Sequence, residues 1–214
     1  MNKTIKTVLG VLIGSSLLFA TTAFIISDPT PDFFKKDISQ TDLISLSKID
    51  TDNEKIGSFK SSVEFNHNNS NRSTKEFYGQ EILISENPRI DRMLIGITNN
   101  LITRIEIWKA NKLIESKEVG FMDKMTWGET QSLTVEFYDQ TYKKYKGHSK
   151  ISMRFYNGSG FFGDIGTINI DLTKYGDLSG DKSIRLFAKS MTSKMNNSPK
   201  FSDLKIWKNY LSFD

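Results

Sequence analysis

One loop of this chain interleaves tyrosines with lysines, a combination suited to binding an anionic ligand. It covers residues 138–149, and its candidate binding side chains are Tyr142, Lys143, Lys144, Tyr145, Lys146 and His148. Aromatic rings stack on sugars or bases, while ammonium groups neutralise phosphate or sulfate. The end of a solvated hairpin has a similar composition, so the sequence leaves both interpretations open.

A second loop, residues 157–166, is rich in glycine and carries Phe161 and Phe162 side by side. It lacks the lysine and the following helix of a phosphate-binding loop, which argues against a nucleotide site. An exposed pair of phenylalanines favours a tip that touches a membrane or a partner protein. The alternative is a buried turn whose rings cap the core. If the three strands around these loops form a meander, the two loops lie at opposite ends of a sheet and cannot form one site.

Residues able to perform catalysis are scarce. His67 and His148 are the two histidines, and their spacing does not make a metal-binding pair. The chain has no cysteine, which excludes a thiol nucleophile and a disulfide, and no Gly-x-Ser-x-Gly motif is present. We therefore predict a protein that is not an enzyme, with no catalytic residue, no metal site and no cofactor.

Acidic side chains offer two weaker alternatives. Two pairs have the residue type needed for glycoside hydrolysis, namely Glu115 with Glu118 and Glu129 with Glu136. Four aspartates near one another in sequence have the oxygen ligands that calcium prefers, namely Asp164, Asp171, Asp177 and Asp181. Surface strands carry such glutamates anyway, and the aspartate spacing matches no calcium loop.

The N-terminus predicts export. Lys3 and Lys6 precede an uncharged, mostly apolar run over residues 7–26. This pattern indicates a signal peptide cleaved near Thr21-Thr22-Ala23, or an uncleaved anchor that tethers the chain through residues 8–26. In both cases the positive-inside rule places the rest of the chain outside the cytoplasm: periplasmic, secreted, or anchored to the inner membrane with its domain outside. A short leader before a cysteine-free exported domain favours a bacterial source.

Alternating apolar and polar residues predict the strands that position these loops. The clearest runs are residues 133–138, 151–156 and 168–172, where every second residue is apolar. Further runs give nine predicted strands in total, adding residues 59–65, 76–85, 92–98, 101–107, 113–119 and 183–188. A hairpin turn is predicted at residues 110–112, with Asn111 suited to a positive φ. Eight or nine short strands indicate a mainly β fold, either an antiparallel β-sandwich or a small barrel.

The remaining segments complete the predicted organisation. Residues 1–26 form an apolar helix, residues 27–57 a polar linker or arm, and residues 58–214 a single β-rich domain. Residues 201–211 form either a short helix, which their apolar spacing favours, or a last strand. With 214 residues and a net charge of +4, the chain can form one core and has a mild preference for anionic partners.

These observations predict an exported domain that acts by binding, as an accessory, sensor or adhesion protein of the cell envelope. Its expected partner is a protein, an anionic glycan or a lipid surface, and nucleic acid is disfavoured because the domain is exported. A secreted, membrane-active protein of the toxin type is the alternative. A hydrolase of envelope carbohydrate comes third.

Overall fold

The computed structural model describes residues 30–49, 58–66, 76–99, 102–121, 130–138, 150–157, 164–190 and 199–208. All of these except Thr30 belong to one compact unit, Pro31–Asp214. The described strands form two antiparallel sheets of six strands each. Mainly β structure is therefore confirmed, and the two separate sheets decide for a sandwich over a barrel.

The chain passes between the two sheets several times, so strands that are neighbours in a sheet are often not consecutive in the sequence. The first sheet contains, in spatial order, β1 (Phe33–Asp37), β12 (Lys200–Lys208), β3 (Ser58–Asn66), β8 (Thr130–Tyr138), β9 (Lys150–Asn157) and β10 (Asp164–Asp171). The second contains β2 (Leu43–Ser45), β11 (Lys182–Ser190), β4 (Glu76–Ile84), β5 (Arg92–Thr98), β6 (Ile102–Lys109) and β7 (Lys112–Phe121). Single 3-10 turns occur at Leu46–Lys48 and Thr173–Tyr175.

The core lies between the two sheets, because each strand turns alternate side chains inward. Val63 and Val135 from the first sheet and Ile95 from the second are fully buried there. Burying a side chain of this size stabilises the fold by about 1.5–3 kcal/mol. One polar bridge also crosses the core: Ser61 Oγ donates to Gln80 Oε1 at 2.5 Å, and Gln80 Nε2 donates to the Leu133 carbonyl at 3.1 Å.

Of the two alternatives predicted for the C-terminal segment, the helix is wrong and the last strand is confirmed, because residues 200–208 form strand β12. A bulge between Ser202 and Lys205 adds a residue, with Asp203 at a φ of 50°. This extra residue keeps Phe201 and Leu204 both on the buried side, although they are three positions apart. The bulge therefore reproduces the spacing of a helix within a strand.

The structure also differs from the predicted arm over residues 33–49. Strand β1 pairs with β12 at one edge of the first sheet, and β2 pairs with β11 at one edge of the second. Ile38 and Leu46 are buried in the core. The predicted leader and its apolar helix lie outside the described residues. Within the described part of the chain, no helix has the length and apolarity needed to cross a membrane.

Two glycines face each other on β4 and β5, where the backbone of the neighbouring strand leaves no room for a side chain. A Cβ atom added at Gly79 would lie 2.1 Å from the Ile95 carbonyl oxygen, and one at Gly96 would lie 2.0 Å from the Tyr78 oxygen. Both distances are too short for any side chain, so the backbone requires glycine at both positions. The consequence is a stretch without side chains in the middle of the second sheet.

Candidate binding surface

The sequence-predicted binding residues, Tyr142, Lys143, Lys144, Tyr145, Lys146, His148, Phe161 and Phe162, all lie outside the described residues. Their flanking strands are described: β8 pairs with β9, and β9 with β10, in one antiparallel meander. The first loop joins the meander at one end of the strands, and the second joins it at the other. Ligand binding by either loop stays a prediction, and the two loops are predicted as separate sites.

The described residues contain a different candidate, on the solvent side of the second sheet. We call it the charged face, and it consists of Phe77, Glu81, Arg92, Leu94, Arg104, Glu106, Trp108, Arg185, Phe187 and Lys189. These residues alternate with inward residues such as Ile82 and Ile95, so strand geometry places them on the face away from the core. Four adjacent strands, β11, β4, β5 and β6, supply them.

Glu106 is the centre of one half of the charged face. Its side chain is only 2% exposed, yet it accepts hydrogen bonds from three donors. Arg104 Nε lies 2.8 Å from Oε1, while Lys189 Nζ and Trp108 Nε1 lie 2.6 and 3.0 Å from Oε2. Two cations offset the cost of burying the carboxylate. The same contacts fix the edge of the indole ring.

Glu81 occupies the equivalent place in the other half. Its side chain is 4% exposed, and Arg185 Nε donates to Oε2 at 2.7 Å. Arg92 Nη1 lies 3.8 Å from Oε1 and completes the ion-pair group. The register explains this arrangement, because Arg185 stands directly opposite Glu81 on the neighbouring strand.

Aromatic rings form the floor beneath these charges. Phe77 and Phe187 pack edge to face with centroids 4.8 Å apart, and Leu94 completes this buried cluster with the partly buried Trp108 against it. Lys189 Nζ lies 5.1 Å from the Trp108 ring, and the Arg92 guanidinium lies 4.9 Å from it. Cation–π contacts of this kind hold an indole in one orientation.

The charged face has more donors than acceptors. Both buried carboxylates already accept from cations, whereas the Arg185 and Lys189 side chains are 42% and 33% exposed. The Arg92 side chain is 26% exposed. Counting Glu118, which pairs with Arg104, four cations stand against three carboxylates, a surplus of one positive charge. An incoming ligand therefore meets N–H donors beside an aromatic ring.

Sequence reasoning missed this surface because outward strand positions were expected to be solvated. One signal was present: Phe77, Leu94 and Phe187 are apolar at positions whose neighbours in the chain face the core. A strand with apolar residues on both faces is expected to have its outer face covered by other side chains or by a partner. The pairing of Glu106 with Lys189 gave no such signal, because 83 residues separate the two along the chain.

The acidic alternatives are engaged elsewhere in the structure. Glu118 pairs with Arg104, and Glu136 accepts from the Tyr138 hydroxyl at 3.2 Å. Asp171 and Asp177 accept from the backbone N–H groups of Thr173 and Ser179, and thereby close local turns. Across the described residues, no group of three potential ligands is placed to hold a metal ion. His67 and His148 lie outside this part of the chain.

Burial, followed by the charge of Asp203, raises the pKa of Glu64. This carboxyl lies on β3 and is separate from a cavity of about 510 Å³ at the end of the sandwich, lined in part by Asp42 and Lys200. In that cavity a hydrogen bond from Lys35, at 2.8 Å, is the main cause of a lowered pKa at Asp42. Glu64, whose pKa is raised, therefore does not line this cavity.

The fold is similar to those of carbohydrate-binding modules and lectins. A carbohydrate-binding module of the evolved Dit protein of Lactobacillus casei BL23 phage J-1 matches with a TM-score of 0.51 and 8% identity, over 77% of this chain and 67% of that one. The Ruminococcus gnavus sialidase module CBM40, solved with α2,6-sialyllactose, matches with a TM-score of 0.46 and 11% identity, over 86% and 95%. The Caenorhabditis elegans galectin LEC-6 matches at 0.44 and 8%, over 85% and 98%.

These likenesses are structural. No protein-family model and no curated protein matches the sequence. At 8% identity, the match to the phage module shows the fold alone. The chain is thus a two-sheet β-sandwich that shares its fold with the phage module.

Proposed function

We propose that this protein is a non-catalytic domain that binds acidic glycans through the charged face. The observation that carries the proposal is Trp108, a partly exposed indole held by Glu106 and flanked by Arg92 and Lys189. An indole that several side chains fix in place loses little conformational entropy when a ligand stacks on it. The shared fold with a carbohydrate-binding module supports the ligand class.

The chemistry of the face suits a sugar that carries a carboxylate or sulfate. The indole ring packs against the C–H face of a pyranose, and guanidinium groups bind oxyanions in a planar, two-pronged geometry. Arg185 and Arg92 supply such groups on adjacent parts of the sheet. Because Glu81 accepts a hydrogen bond from Arg185, and Glu106 accepts from Arg104 and Lys189, a neutral sugar finds few free acceptors for its hydroxyl protons.

The context of the proposal is export. The uncharged run over residues 7–26 supports a protein released from, or tethered to, the cell surface, where glycans are abundant. A binding domain there would serve as an envelope accessory, sensor or adhesion protein.

A binding measurement with site variants tests the proposal. We expect calorimetry to detect binding of an acidic oligosaccharide to the wild-type protein. Trp108→Ala should reduce the affinity about tenfold or more, since stacking on one aromatic ring contributes about 1–3 kcal/mol. Lys36→Gln, an exposed charge change on β1, is the control and should bind normally. Urea unfolding of each variant confirms that the fold persists.

The predicted loops provide the competing locations. If Tyr142→Ala with Tyr145→Ala abolishes binding while Trp108→Ala does not, the loop is the site and the charged face is not. If Phe161→Ala with Phe162→Ala abolishes release of dye from vesicles, the protein acts on membranes. Failure to bind any acidic or neutral oligosaccharide would contradict the proposed function as a whole.

A further inference from the structure

Strand β7 is a long edge with an exposed apolar segment. It runs for ten residues at the border of the second sheet and pairs on one side with β6. At the opposite border, β2 has only three residues. Leu113 and Ile114 of β7 are 40% and 48% exposed, and Lys112, Ser116, Lys117 and Glu118 are exposed as well. Such an edge presents unpaired backbone groups to another strand.

We propose that β7 joins a second copy of this chain, antiparallel and edge to edge, with Ser116 on the two-fold axis. A two-fold arrangement is the commonest symmetry of protein dimers. In an antiparallel pair, residues directly opposite one another point to the same face, so only registers that centre on a residue keep the two faces of the sheet continuous. The regular part of β7, residues 115–119, offers five centres. A centre at Val119 pairs only residues 117–121 and leaves Leu113 and Ile114 uncovered. Four centres remain, at Glu115, Ser116, Lys117 or Glu118.

Charge selects one of these four registers. Centres at Glu115, Lys117 and Glu118 each bring a charged residue against its own copy, and like charges directly opposite one another are destabilising. A centre at Ser116 instead places Glu115 opposite Lys117 of the second copy, and Lys117 opposite its Glu115. Two opposite-charge pairs replace the repulsion.

Neither side chain is prevented from pairing in this register. Lys174 and Tyr175 both contact Oε2 of Glu115, which leaves Oε1 to accept from a second chain. Lys117 is exposed. The apolar side chains of Leu113 and Ile114 gain cover beside the added strand, which contributes further stabilisation.

The dimer would carry two charged faces on the same side of one continuous sheet, because the axis runs perpendicular to the sheet. Strand β6, which holds Arg104, Glu106 and Trp108, is the immediate neighbour of β7. Two ligand sites held together bind a multivalent glycan more tightly than either site alone. The dimer itself does not depend on the proposed function.

The absence of cysteine from the chain makes a direct test possible. In the proposed register the two Ser116 Cα atoms lie about 4.5–5.5 Å apart, within the range that a disulfide spans. We expect the full chain with Ser116→Cys to form a covalent dimer under mild oxidation. Lys112→Cys is the matched control, since its two copies would lie about 27 Å apart, and it should not cross-link.

Light scattering over a concentration series supplies the second measurement. Wild-type protein should show twice the monomer mass at high concentration. Lys117→Glu should shift the equilibrium to monomer by about tenfold or more, because it places two glutamates opposite each other. Lys112→Glu, on the same strand, should not shift it. A wild-type monomer at every concentration would overturn the proposal, as would a dimer that Lys117→Glu leaves intact and that Ser116→Cys fails to cross-link.

Discussion

At the scale of single residues, the charged face depends on carboxylates that are buried on the outside of a sheet. Glu106 contacts Arg104, Lys189 and the Trp108 indole, although a residue at this position of an alternating strand normally points into water. Arg104 and Trp108 of its own strand and Lys189 of the more distant β11 contact the buried carboxylate. These contacts hold the indole in place, and they also leave the Glu106 carboxylate with little capacity to accept a hydrogen bond from a ligand.

Glu106→Gln should destabilise the protein by about 3 kcal/mol, since removing one partner of a buried ion pair leaves the other charges uncompensated. Urea unfolding measures this loss. Glu118→Gln is the control, because Glu118 also pairs with Arg104 but is 47% exposed, and it should cost less than about 1 kcal/mol. Equal effects of the two substitutions would mean that burial of Glu106 does not contribute as described.

Glu115 predicts a dependence of stability on pH. A hydrogen bond from Lys174, followed by one from Tyr175, holds the pKa of Glu115 below its ordinary value of 4.5. The unfolded chain then binds this proton more tightly, so the contribution of Glu115 is complete above the unfolded pKa and is lost as pH falls through the lower folded value.

We therefore expect Glu115→Gln to reduce the loss of stability between neutral pH and about pH 3, measured by urea unfolding at each pH. Part of the acid loss should remain, because the pKa of Asp42 is lowered as well, first of all by Lys35. An unchanged pH profile in the variant would show that Glu115 makes no linked contribution.

At the scale of elements, local signals predicted the hairpin of β6 and β7 well. Both central residues of its turn, Ala110 and Asn111, have positive φ, at 48° and 63°. Asparagine adopts a positive φ at little steric cost, whereas alanine adopts it only with strain. The sequence thus predicts the position of the turn and the positive φ of Asn111, but not that of Ala110. Ala110 adopts a strained conformation because the paired strands impose it.

Ala110→Gly should stabilise the protein by about 1 kcal/mol, because glycine adopts a positive φ without steric cost. The bond from the residue 110 N–H to Asp91 Oδ2, at 2.6 Å, is retained. The midpoint of urea unfolding reports the change. A lower midpoint would mean that the added freedom of the unfolded chain outweighs the relieved strain.

Other elements could not be predicted from local pattern. The β12 strand has helical spacing because its bulge at Asp203 adds a residue, and only pairing with β3 reveals that bulge. Strand β1 has only five residues, and its two phenylalanines are adjacent and do not alternate with polar residues, so it becomes a strand because β12 offers it an edge. Alternation therefore predicted the strands whose own sequence alternates between apolar and polar residues. It failed where pairing with a strand distant in sequence determines the structure.

At the scale of the whole molecule, both ends of the described chain hold the sandwich together. Segment 33–49 adds one strand to each sheet, and its Ile38 and Leu46 side chains enter the core. The charged face depends on the same non-local order, because it combines β4, β5 and β6 with β11 from much later in the chain. This explains why sequence analysis identified the fold class but located its candidate sites in loops.

A chain that begins at Ser58 should be less stable than one that begins at Pro31, by about 4 kcal/mol or more, because the buried side chains of Ile38 and Leu46 leave the core. Circular dichroism during thermal unfolding compares the two. Equal stability would contradict the structural role of residues 33–49 and would restore their interpretation as an arm.

The most direct test of the binding account uses the fluorescence of Trp108 itself. The chain has three tryptophans, and Trp127→Phe with Trp207→Phe leaves Trp108 as the single indole. Titration with an acidic oligosaccharide should shift or quench its emission with the same midpoint that calorimetry gives, and high salt should weaken both. Calorimetric binding of the oligosaccharide without any change in Trp108 emission would contradict the account.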